Sequence, residues 1–235
     1  MKAKPPIKPR KVAIFDIDGT IFRSSLLIEI VEVLIELNLF PALVRLQYEK
    51  EKINWLDRKD NYDAYIMAVV RVFVKNIIGV SAEDFERAAK IVVERYRNRV
   101  YLFTKNLIRD LKKKNYFLLA ISNSPKGVLD VFCNDFGFDK VYGRLYKVDS
   151  NNCFTGEIVD EFMIADKANL LRRAVEINNL TLDGSVGVGD TESDITFLKL
   201  VERPICFNPN MKLYKYAKRA GWEIEVERKD VIYKL

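Results

Sequence analysis

One short stretch constrains the fold of this chain more than any other: residues 11–20, with the sequence KVAIFDIDGT. Its apolar run predicts a buried β-strand, and the Asp-Gly pair after it predicts a tight loop. Residues two apart in an extended chain point the same way, so Asp16 and Asp18 can converge at the strand end. Their mutual repulsion would then demand a cation or a shared proton. A simple turn would explain Asp18 with Gly19, but it would leave Asp16 unexplained.

The pattern changes after this loop, and apolar residues recur at three- and four-residue spacing up to residue 98. This spacing predicts four helices. The first is expected to end near Asn38 and Pro41, and the last is capped by Ser81. The other two are expected over residues 41–52 and 60–78. Because no strand is predicted in this segment, we interpret residues 23–98 as a helical cap, or lid, inserted directly after the carboxylate loop.

From residue 99 onward the predicted helices and strands alternate, which is typical of an α/β fold. We expect a doubly wound, mostly parallel sheet with a Rossmann-like core formed by residues 11–22 and 99–235. In such sheets, ligands bind outside the carboxyl ends of the strands. The predicted strands are 116–121, 141–145, 185–188, 204–207 and 222–226, with a hairpin around 151–158; the predicted helices are 101–114, 125–136, 165–178, 192–200 and 211–220.

Charge and hydropathy narrow the classes of partner. The net charge is +6, but five basic residues and no acid lie in the first eleven residues, which leaves about +1 for the rest. We therefore interpret residues 1–10 as a flexible basic tail and predict no nucleic-acid partner. No apolar run is long enough to cross a bilayer, so no membrane partner is expected and the predicted location is cytoplasmic. The oligomeric state stays open.

The chain contains no histidine. A general acid or base must then be a carboxylate, Lys, Tyr or Cys, and His-dependent triads and His metal sites are excluded. The three cysteines, Cys133, Cys153 and Cys206, are widely spaced and lack the spacing of metal ligands. They are predicted to be reduced and structural.

Polar residues follow the later strands as well. Ser122 stands at the end of the second strand, with a hydroxyl able to donate to an anion. The neighbouring Ser124 and Pro125 fit the cap and first residue of the next helix. Lys167, near a helix start, would be disfavoured by the helix dipole unless it faces carboxylates and phosphate.

The strand over residues 185–188 leads into a further pair of carboxylates. Asp190 ends the strand, and Asp194 lies on the next helical turn, where it also fits a capping box with Thr191. If both face the same opening as Asp16, they form a cluster of hard oxygen ligands that suits Mg²⁺.

In this order, the motifs resemble those of the haloacid dehalogenase superfamily. The segment DIDGT at residues 16–20 matches its first motif, Ser122 its second, Lys167 its third, and Gly189-Asp190 with Asp194 its fourth. The resemblance covers nearly the whole chain. It is strongest to the phosphoserine-phosphatase-like branch, which carries a helical cap between the first and second motifs. Residues 154–158, 207–210 and 220–222 also resemble segments of that branch.

The resemblance implies an enzyme, a phosphoric monoester hydrolase that acts on a small phosphorylated metabolite through an aspartyl-phosphate. Asp16 would attack phosphorus, while Asp18 would protonate the leaving alcohol and then activate water. Ser122, Asn123 and Lys167 would bind the substrate, and Lys167 would also help to keep Asp16 ionised.

The same resemblance implies Mg²⁺ as cofactor. The ligands would be the Asp16 side chain, the Asp18 backbone carbonyl, Asp190, and Asp194 directly or through water. A dehalogenase would need the nucleophile but no metal, and would not be expected to carry an acid at position 18. A receiver-type signalling module would be far shorter. A catalytically silent phosphate-binding protein and a phosphotransferase are further alternatives.

The substrate is a separate question, because phosphoserine phosphatases generally provide a glutamate shortly after the nucleophile loop. Here no acid precedes Glu29, although Glu29 or Glu32 could reach inward and Arg45 or Arg58 could bind a carboxylate. An ammonium or carboxylate buried without a partner would cost several kcal/mol. We therefore predict that a phosphomonoester other than phosphoserine is the better substrate.

Overall fold

The computed structural model describes residues 9–159 and 166–235. Its strands are β1 (Arg10–Phe15), β2 (Phe117–Pro125), β3 (Lys140–Val148), β4 (Phe154–Val159), β5 (Leu180–Gly189), β6 (Arg203–Phe207), β7 (Glu223–Arg228) and β8 (Val231–Lys234). They form one sheet in the order β4-β3-β2-β1-β5-β6-β7-β8. The neighbouring pairs from β3 to β7 are parallel, whereas β4 and β8 run antiparallel to their neighbours at the two edges.

Five of the described α-helices lie between β1 and β2, and the other four follow β2, β4, β5 and β6. They are α1 (Leu26–Glu36), α2 (Glu49–Leu56), α3 (Tyr62–Asn76), α4 (Ala82–Tyr96), α5 (Leu102–Lys113), α6 (Lys126–Phe136), α7 (Lys167–Ile177), α8 (Ile195–Leu198) and α9 (Met211–Ala220). Two 3₁₀ turns cover Ala42–Gln47 and Glu192–Asp194.

The sheet separates two apolar cores because successive side chains of β1 point to opposite faces. Ala13 and Phe15 pack in a core shared with α1, α4 and α6. Val12 and Ile14 pack in a second core shared with α7, α8 and α9. The predicted fold class, a doubly wound and mostly parallel α/β sheet with inserted helices, is confirmed.

Residues 23–98 agree with the sequence pattern in three of the four helices predicted there. The second was placed wrongly: a 3₁₀ turn spans Ala42–Gln47, and α2 begins only at Glu49. Buried Tyr48 interrupts the helix because its backbone leaves the helical region and its hydroxyl donates to Glu32. The prediction that residues 23–98 form a separate cap remains a prediction.

Two features near the end of the described chain differ from expectation. The predicted helix over residues 192–200 is a 3₁₀ turn followed by the four residues of α8. Strand β8 was not predicted, and all four of its residues are exposed, so no buried face left an alternating pattern in the sequence.

Most of the predicted tail lies outside the described residues, and Arg10 of that range already belongs to β1. Cys133, Cys153 and Cys206 are free thiols. None of the helices in the described part of the chain has the length and apolar character that crossing a bilayer requires.

Candidate active site

Asp16 lies directly after the central strand β1, between the carboxyl ends of β2 and β5. Its backbone N–H donates to the Val188 carbonyl at 2.9 Å, which continues the β1–β5 pairing by one residue. Its side chain is 9% exposed. Parallel strands bring their carboxyl ends to one edge of a sheet, so the loops after β1, β2 and β5 meet here.

Asp16, Asp190 and Asp194 form a carboxylate cluster. One oxygen from each lies within 4.8 Å of the others. Asp194 is held by the loop after β5, because its Oδ2 accepts the backbone N–H groups of Asp190 and Thr191 at 3.0 Å each. The predicted capping box of Thr191 and Asp194 is confirmed.

Gly19 allows the first loop to approach this cluster. Its φ is +80°, and a Cβ added there would lie 2.1 Å from Oδ2 of Asp190. A larger residue would therefore collide with a carboxylate as well as strain the backbone. This requirement explains why the two carboxylates of the loop are followed by glycine.

Lys167, the first residue of α7, is the cation that faces this cluster. Its Nζ donates to Oδ1 of Asp16 at 2.8 Å and to Oδ1 of Asp194 at 2.6 Å, and the residue is 3% exposed. Burial alone would lower the pKa of Lys167, but the two carboxylates raise it above its usual value. The lysine is therefore fully charged in the neutral pH range.

The cluster holds more negative charge than Lys167 balances. Burial, the largest cause, and the neighbouring carboxylates raise the pKa of Asp16 to about 7 despite Lys167. The same causes, burial first, raise the pKa of Asp190 well above its usual value. Three hard oxygen donors with uncompensated charge, held at a cleft, fit a divalent cation such as Mg²⁺.

Asp18 is held by contacts different from those of Asp16. Its Oδ1 accepts the Leu26 N–H at 2.6 Å, and its Oδ2 accepts the hydroxyls of Ser122 and Ser124, each at 2.7 Å. Burial raises the pKa of Asp18, although these hydrogen bonds oppose the shift. The arrangement suits a carboxyl group that must take up and release a proton. A raised pKa makes the protonated form accessible.

The loop after β2 differs from the prediction at Ser124. Strand β2 continues through Pro125, α6 has no side-chain cap, and Ser124 contributes its hydroxyl to Asp18. Its predicted role as a helix cap is wrong because the carboxylate competes for the hydroxyl. Ser122 is buried beside it, and Asn123 is exposed and lines the cleft.

A cleft of about 1540 Å³ opens above these residues. Its opposite wall consists of residues of α1 and α3, including Leu27, Ile28, Ile66, Met67 and Val70. The N-terminus of α1 is tied to the carboxylate loop, since Leu26 donates to Asp18. Movement of the helical wall is therefore coupled to the position of Asp18.

Tyr62 is a residue at the cleft whose position the sequence pattern did not indicate. Its ring packs edge-to-face against Trp55, with centroids 5.2 Å apart, and both residues line the cleft. Burial raises the pKa of the Tyr62 phenol, and the carboxylates of Asp18 and Asp190 raise it further. Tyr62 therefore lies in the same cleft as these carboxylates, although helical spacing had favoured a packing role.

Two acidic residues at the helical wall, Glu29 and Glu32, have arginine partners. Glu29 is bound by Arg99 at 2.7 Å. Glu32 accepts the Arg45 guanidinium at 2.8 Å and also the Tyr48 hydroxyl. Arg58 is exposed and is not among the residues that line the cleft.

Comparisons with known proteins agree with this arrangement. The model of the haloacid dehalogenase-like hydrolase family matches residues 13–199. The chain is 24% identical over 225 residues to phosphoserine phosphatase SerB1 of Mycobacterium tuberculosis, covering 94% of this chain and 72% of that protein. It is 23% identical over 223 residues to the inhibition of morphological differentiation protein of Streptomyces azureus, covering 92% of this chain and 78% of that protein.

A solved structure, a phospho-aspartyl intermediate analogue of phosphoserine phosphatase, has the same fold. Its TM-score is 0.63 at 21% sequence identity, with 95% of this chain and 96% of that chain covered. At this level of identity the likeness concerns the fold, so the substrate must be argued from the site itself.

Proposed function

The chain belongs to the haloacid dehalogenase-like hydrolase family, and we propose that it is a Mg²⁺-dependent phosphatase that hydrolyses a small phosphomonoester through an aspartyl-phosphate. The prediction of this family, and of its phosphoserine-phosphatase-like branch, is confirmed by the matches. The predicted enzyme class, a hydrolase of phosphoric monoesters, agrees with them. The observation that carries the proposal is that two neighbouring buried carboxylates have different partners. Asp16 contacts Lys167, whereas Asp18 accepts hydrogen bonds from two serines.

Asp16 is proposed as the nucleophile. Lys167 fixes one of its oxygens at 2.8 Å and supplies positive charge where the phosphoryl oxygens would gather. Phosphoryl transfer depends mainly on in-line placement and on neutralising the charge of the transferred group. The rigid strand end below Asp16 and the buried lysine beside it provide these two conditions.

Asp18 is proposed as the general acid and base. Its raised pKa favours a proton on the carboxyl group, which it can give to the leaving alcohol. The resulting carboxylate can then take a proton from the water that hydrolyses the aspartyl-phosphate. Ser124 can hold Oδ2 of Asp18 during both steps, whereas Ser122 can turn its hydroxyl from Oδ2 toward a phosphoryl oxygen when substrate is present.

The carboxylates of Asp16, Asp190 and Asp194 would hold the metal ion, together with the backbone carbonyl of Asp18. Bound Mg²⁺ supplies positive charge to the phosphoryl oxygens and keeps the carboxylates ionised. Asp194 is already held by Lys167 and by two backbone N–H groups, so it orients the cluster whether it binds the ion directly or through water.

Small phosphomonoesters are expected to be better substrates than phosphoproteins. We propose that residues 23–98 act as a lid, because α1 and α3 face the carboxylates across the cleft and a closed site excludes water and bulky groups. Phosphate release from a panel of phosphorylated metabolites and from a phosphoprotein measures the difference. We expect kcat/KM for the best small ester to be higher by about tenfold or more. A phosphoprotein turned over faster than every small ester would contradict the lid.

L-Phosphoserine is expected not to be the best substrate in the same panel. Glu29 and Glu32, the two acids that the sequence offered as partners for its ammonium, are bound by Arg99 and Arg45. An ammonium left buried without a partner would cost several kcal/mol, so kcat/KM should fall about tenfold or more below that of the best ester. The Glu29→Gln variant is the control. If phosphoserine leads the panel and Glu29→Gln selectively removes its turnover, the prediction is wrong.

A further inference from the structure

Arg144 of β3 lines the cleft. It has no role in the proposed phosphatase reaction. Its side chain is half-buried, and its Nε is buried with no hydrogen-bond partner among the residues that the structure describes. Arginine stays charged throughout the physiological pH range, so this donor cannot be relieved by losing a proton. A buried donor without an acceptor is unfavourable, which makes Arg144 a place where a bound acceptor would be favoured.

The sheet register places Arg144 near the catalytic carboxylates. Arg144 pairs with Pro125 of β2, and Pro125 directly follows Ser124, whose hydroxyl contacts Asp18. Neighbouring strands are about 4.8 Å apart, so β3 lies about 10 Å from β1, two places along the sheet. The long side chain of Arg144 can bridge part of this distance between β3 and β1. A small molecule with its phosphoryl group at Asp16 can bridge the rest.

Two further basic residues lie on the helical wall. Arg71 and Lys75 are four residues apart on α3, so they share one face of that helix. Both line the cleft and are exposed, and neither has a carboxylate partner in the described part of the chain. The C-terminal half of α3 packs on β4, where Gly156 lies against Val74 and Ile78. The hairpin that carries Arg144 therefore meets this end of α3.

The acidic residues of the cleft do not balance this charge. Asp63 is exposed and interacts electrostatically with Lys212, and it lies at the other end of α3, about 12 Å along the helix from Arg71. The remaining acids outside the carboxylate site are paired with other residues: Glu29 with Arg99, Glu32 with Arg45, Glu157 with Lys147, and Glu192 with Lys212. Among residues 9–159 and 166–235, positive charge is thus left uncompensated at the end of the cleft that Arg144 lines.

We propose that Arg144 binds a second anionic group on the substrate, a carboxylate or a further phosphoryl group on the alcohol that leaves. The planar guanidinium can donate two parallel hydrogen bonds to either group. Arg71 and Lys75 add attraction at longer range. This inference rests on the proposed phosphatase function, which it narrows to esters with two anionic ends. Such an ester does not require a carboxylate partner for an ammonium.

Binding of non-hydrolysable phosphonates tests the proposal independently of turnover. Titration calorimetry on the full chain with Mg²⁺ compares propylphosphonate, which has one anionic end, with phosphonopropionate and ethylenediphosphonate, which have two. We expect the wild type to bind at least one of the two-ended compounds about tenfold to a hundredfold more tightly than propylphosphonate, as expected for a charge-assisted hydrogen-bonded pair. If phosphonopropionate binds more tightly than ethylenediphosphonate, the second anionic group is a carboxylate; the reverse order indicates a second phosphoryl group.

Substitution of Arg144 should remove this preference. The ratio to follow is the dissociation constant of propylphosphonate divided by that of the two-ended compound that the wild type binds more tightly. In Arg144→Gln this ratio is expected to fall to about one. In Arg144→Lys it should take an intermediate value, because lysine keeps the charge but lacks the planar fork. Arg109→Gln is the matched control, since Arg109 is exposed on α5 and is not among the residues that line the cleft. It should leave the ratio unchanged.

Different outcomes separate this inference from the proposed function. Equal affinity of the wild type for all three phosphonates, or a preference that survives in both folded Arg144 variants, overturns the role of Arg144. Melting curves identify a variant that does not fold, and Arg144→Lys then provides the comparison. A lack of phosphate release from every ester in the panel overturns the phosphatase proposal, while the binding ratio still decides whether Arg144 recognises an anion.

Discussion

Replacing Asp16 with asparagine is expected to lower kcat for phosphate release by about four orders of magnitude or more, because an amide cannot form the phosphorylated intermediate. Asp18 and Asp194 cannot take over the role of Asp16, because other contacts hold them in place. Asp18 is held by Leu26, Ser122 and Ser124, and Asp194 is held by Lys167 and by backbone N–H groups. Neither carboxylate can move to the position of Asp16 without losing these contacts.

The same variant should still fold. Burial raises the pKa of Asp16 to about 7, so the metal-free protein already tolerates a neutral group at this position. Asparagine has the same size, and Lys167 keeps Asp194 as its partner at 2.6 Å. A loss of activity in a folded variant can then be assigned to chemistry. Circular dichroism and the melting temperature provide that check beside the phosphate-release assay.

Asp135→Asn is the control for this experiment, because Asp135 is exposed on α6 and is not among the residues that line the cleft. It should retain wild-type turnover. An Asp16→Asn protein that keeps more than a few per cent of wild-type kcat would refute the assignment of the nucleophile. Trapping of labelled phosphate on the wild type, and its absence from Asp16→Asn, provides a second measurement that does not depend on steady-state rates.

Much of the fold could be predicted because its elements have strong periodic patterns. The last four residues of β1, Val12 to Phe15, are a continuous apolar run, as expected for a strand buried on both faces. The helices α1, α3 and α4 show apolar faces and side-chain caps at Ser25, Asn61 and Ser81. The pattern failed where burial is slight. All four residues of β8 are exposed, and α2 buries none of its residues, so neither leaves a clear signal.

The candidate site was predictable in part, for a reason that sequence position alone supplies. Asp16 and Asp190 each follow a strand, and Ser122 lies near the carboxyl end of β2. The strands β1, β2 and β5 are parallel neighbours, so these ends meet at one edge of the sheet. The contacts of Ser124, Tyr62 and Arg144 depend on how distant segments pack. Ser124 also fitted a local helix cap, and Tyr62 also fitted an apolar helix face, so local patterns favoured the wrong roles.

Removal of Mg²⁺ by a chelator is expected to abolish phosphate release, and addition of Mg²⁺ is expected to raise the melting temperature. The reason is the cluster of Asp16, Asp190 and Asp194, whose oxygens lie within 4.8 Å of one another around a single described lysine, Lys167. Without a divalent cation, ionising these buried groups is unfavourable. With the cation bound, the ionised form is favoured and the substrate gains positive charge for its phosphoryl oxygens.

The effect of Mg²⁺ on stability should depend on pH in a direction that follows from the pKa of Asp16. Burial raises this pKa from 3.8 to about 7 in the folded chain. Between these values the folded state binds more protons than the unfolded state, so the contribution of Asp16 to metal-free stability falls as pH rises. Mg²⁺ competes with that proton. The increase in melting temperature on adding Mg²⁺ should therefore be larger at a pH above 7 than at a pH near 5.

The Asp190→Asn variant distinguishes the repulsion among the three carboxylates from their role in binding the metal ion. Removing one of three crowded carboxylates should raise the metal-free stability of the protein by about 1–2 kcal/mol at alkaline pH, while the further increase on adding Mg²⁺ and the turnover are both lost. Asp183→Asn, an exposed change near the opposite end of β5, should alter neither quantity.

Undiminished turnover in excess chelator would exclude the metal-dependent reaction and favour the metal-free dehalogenase chemistry. A metal-free Asp190→Asn protein less stable than the wild type would show that the three carboxylates do not repel one another, because the relief of that repulsion is the reason for the expected gain.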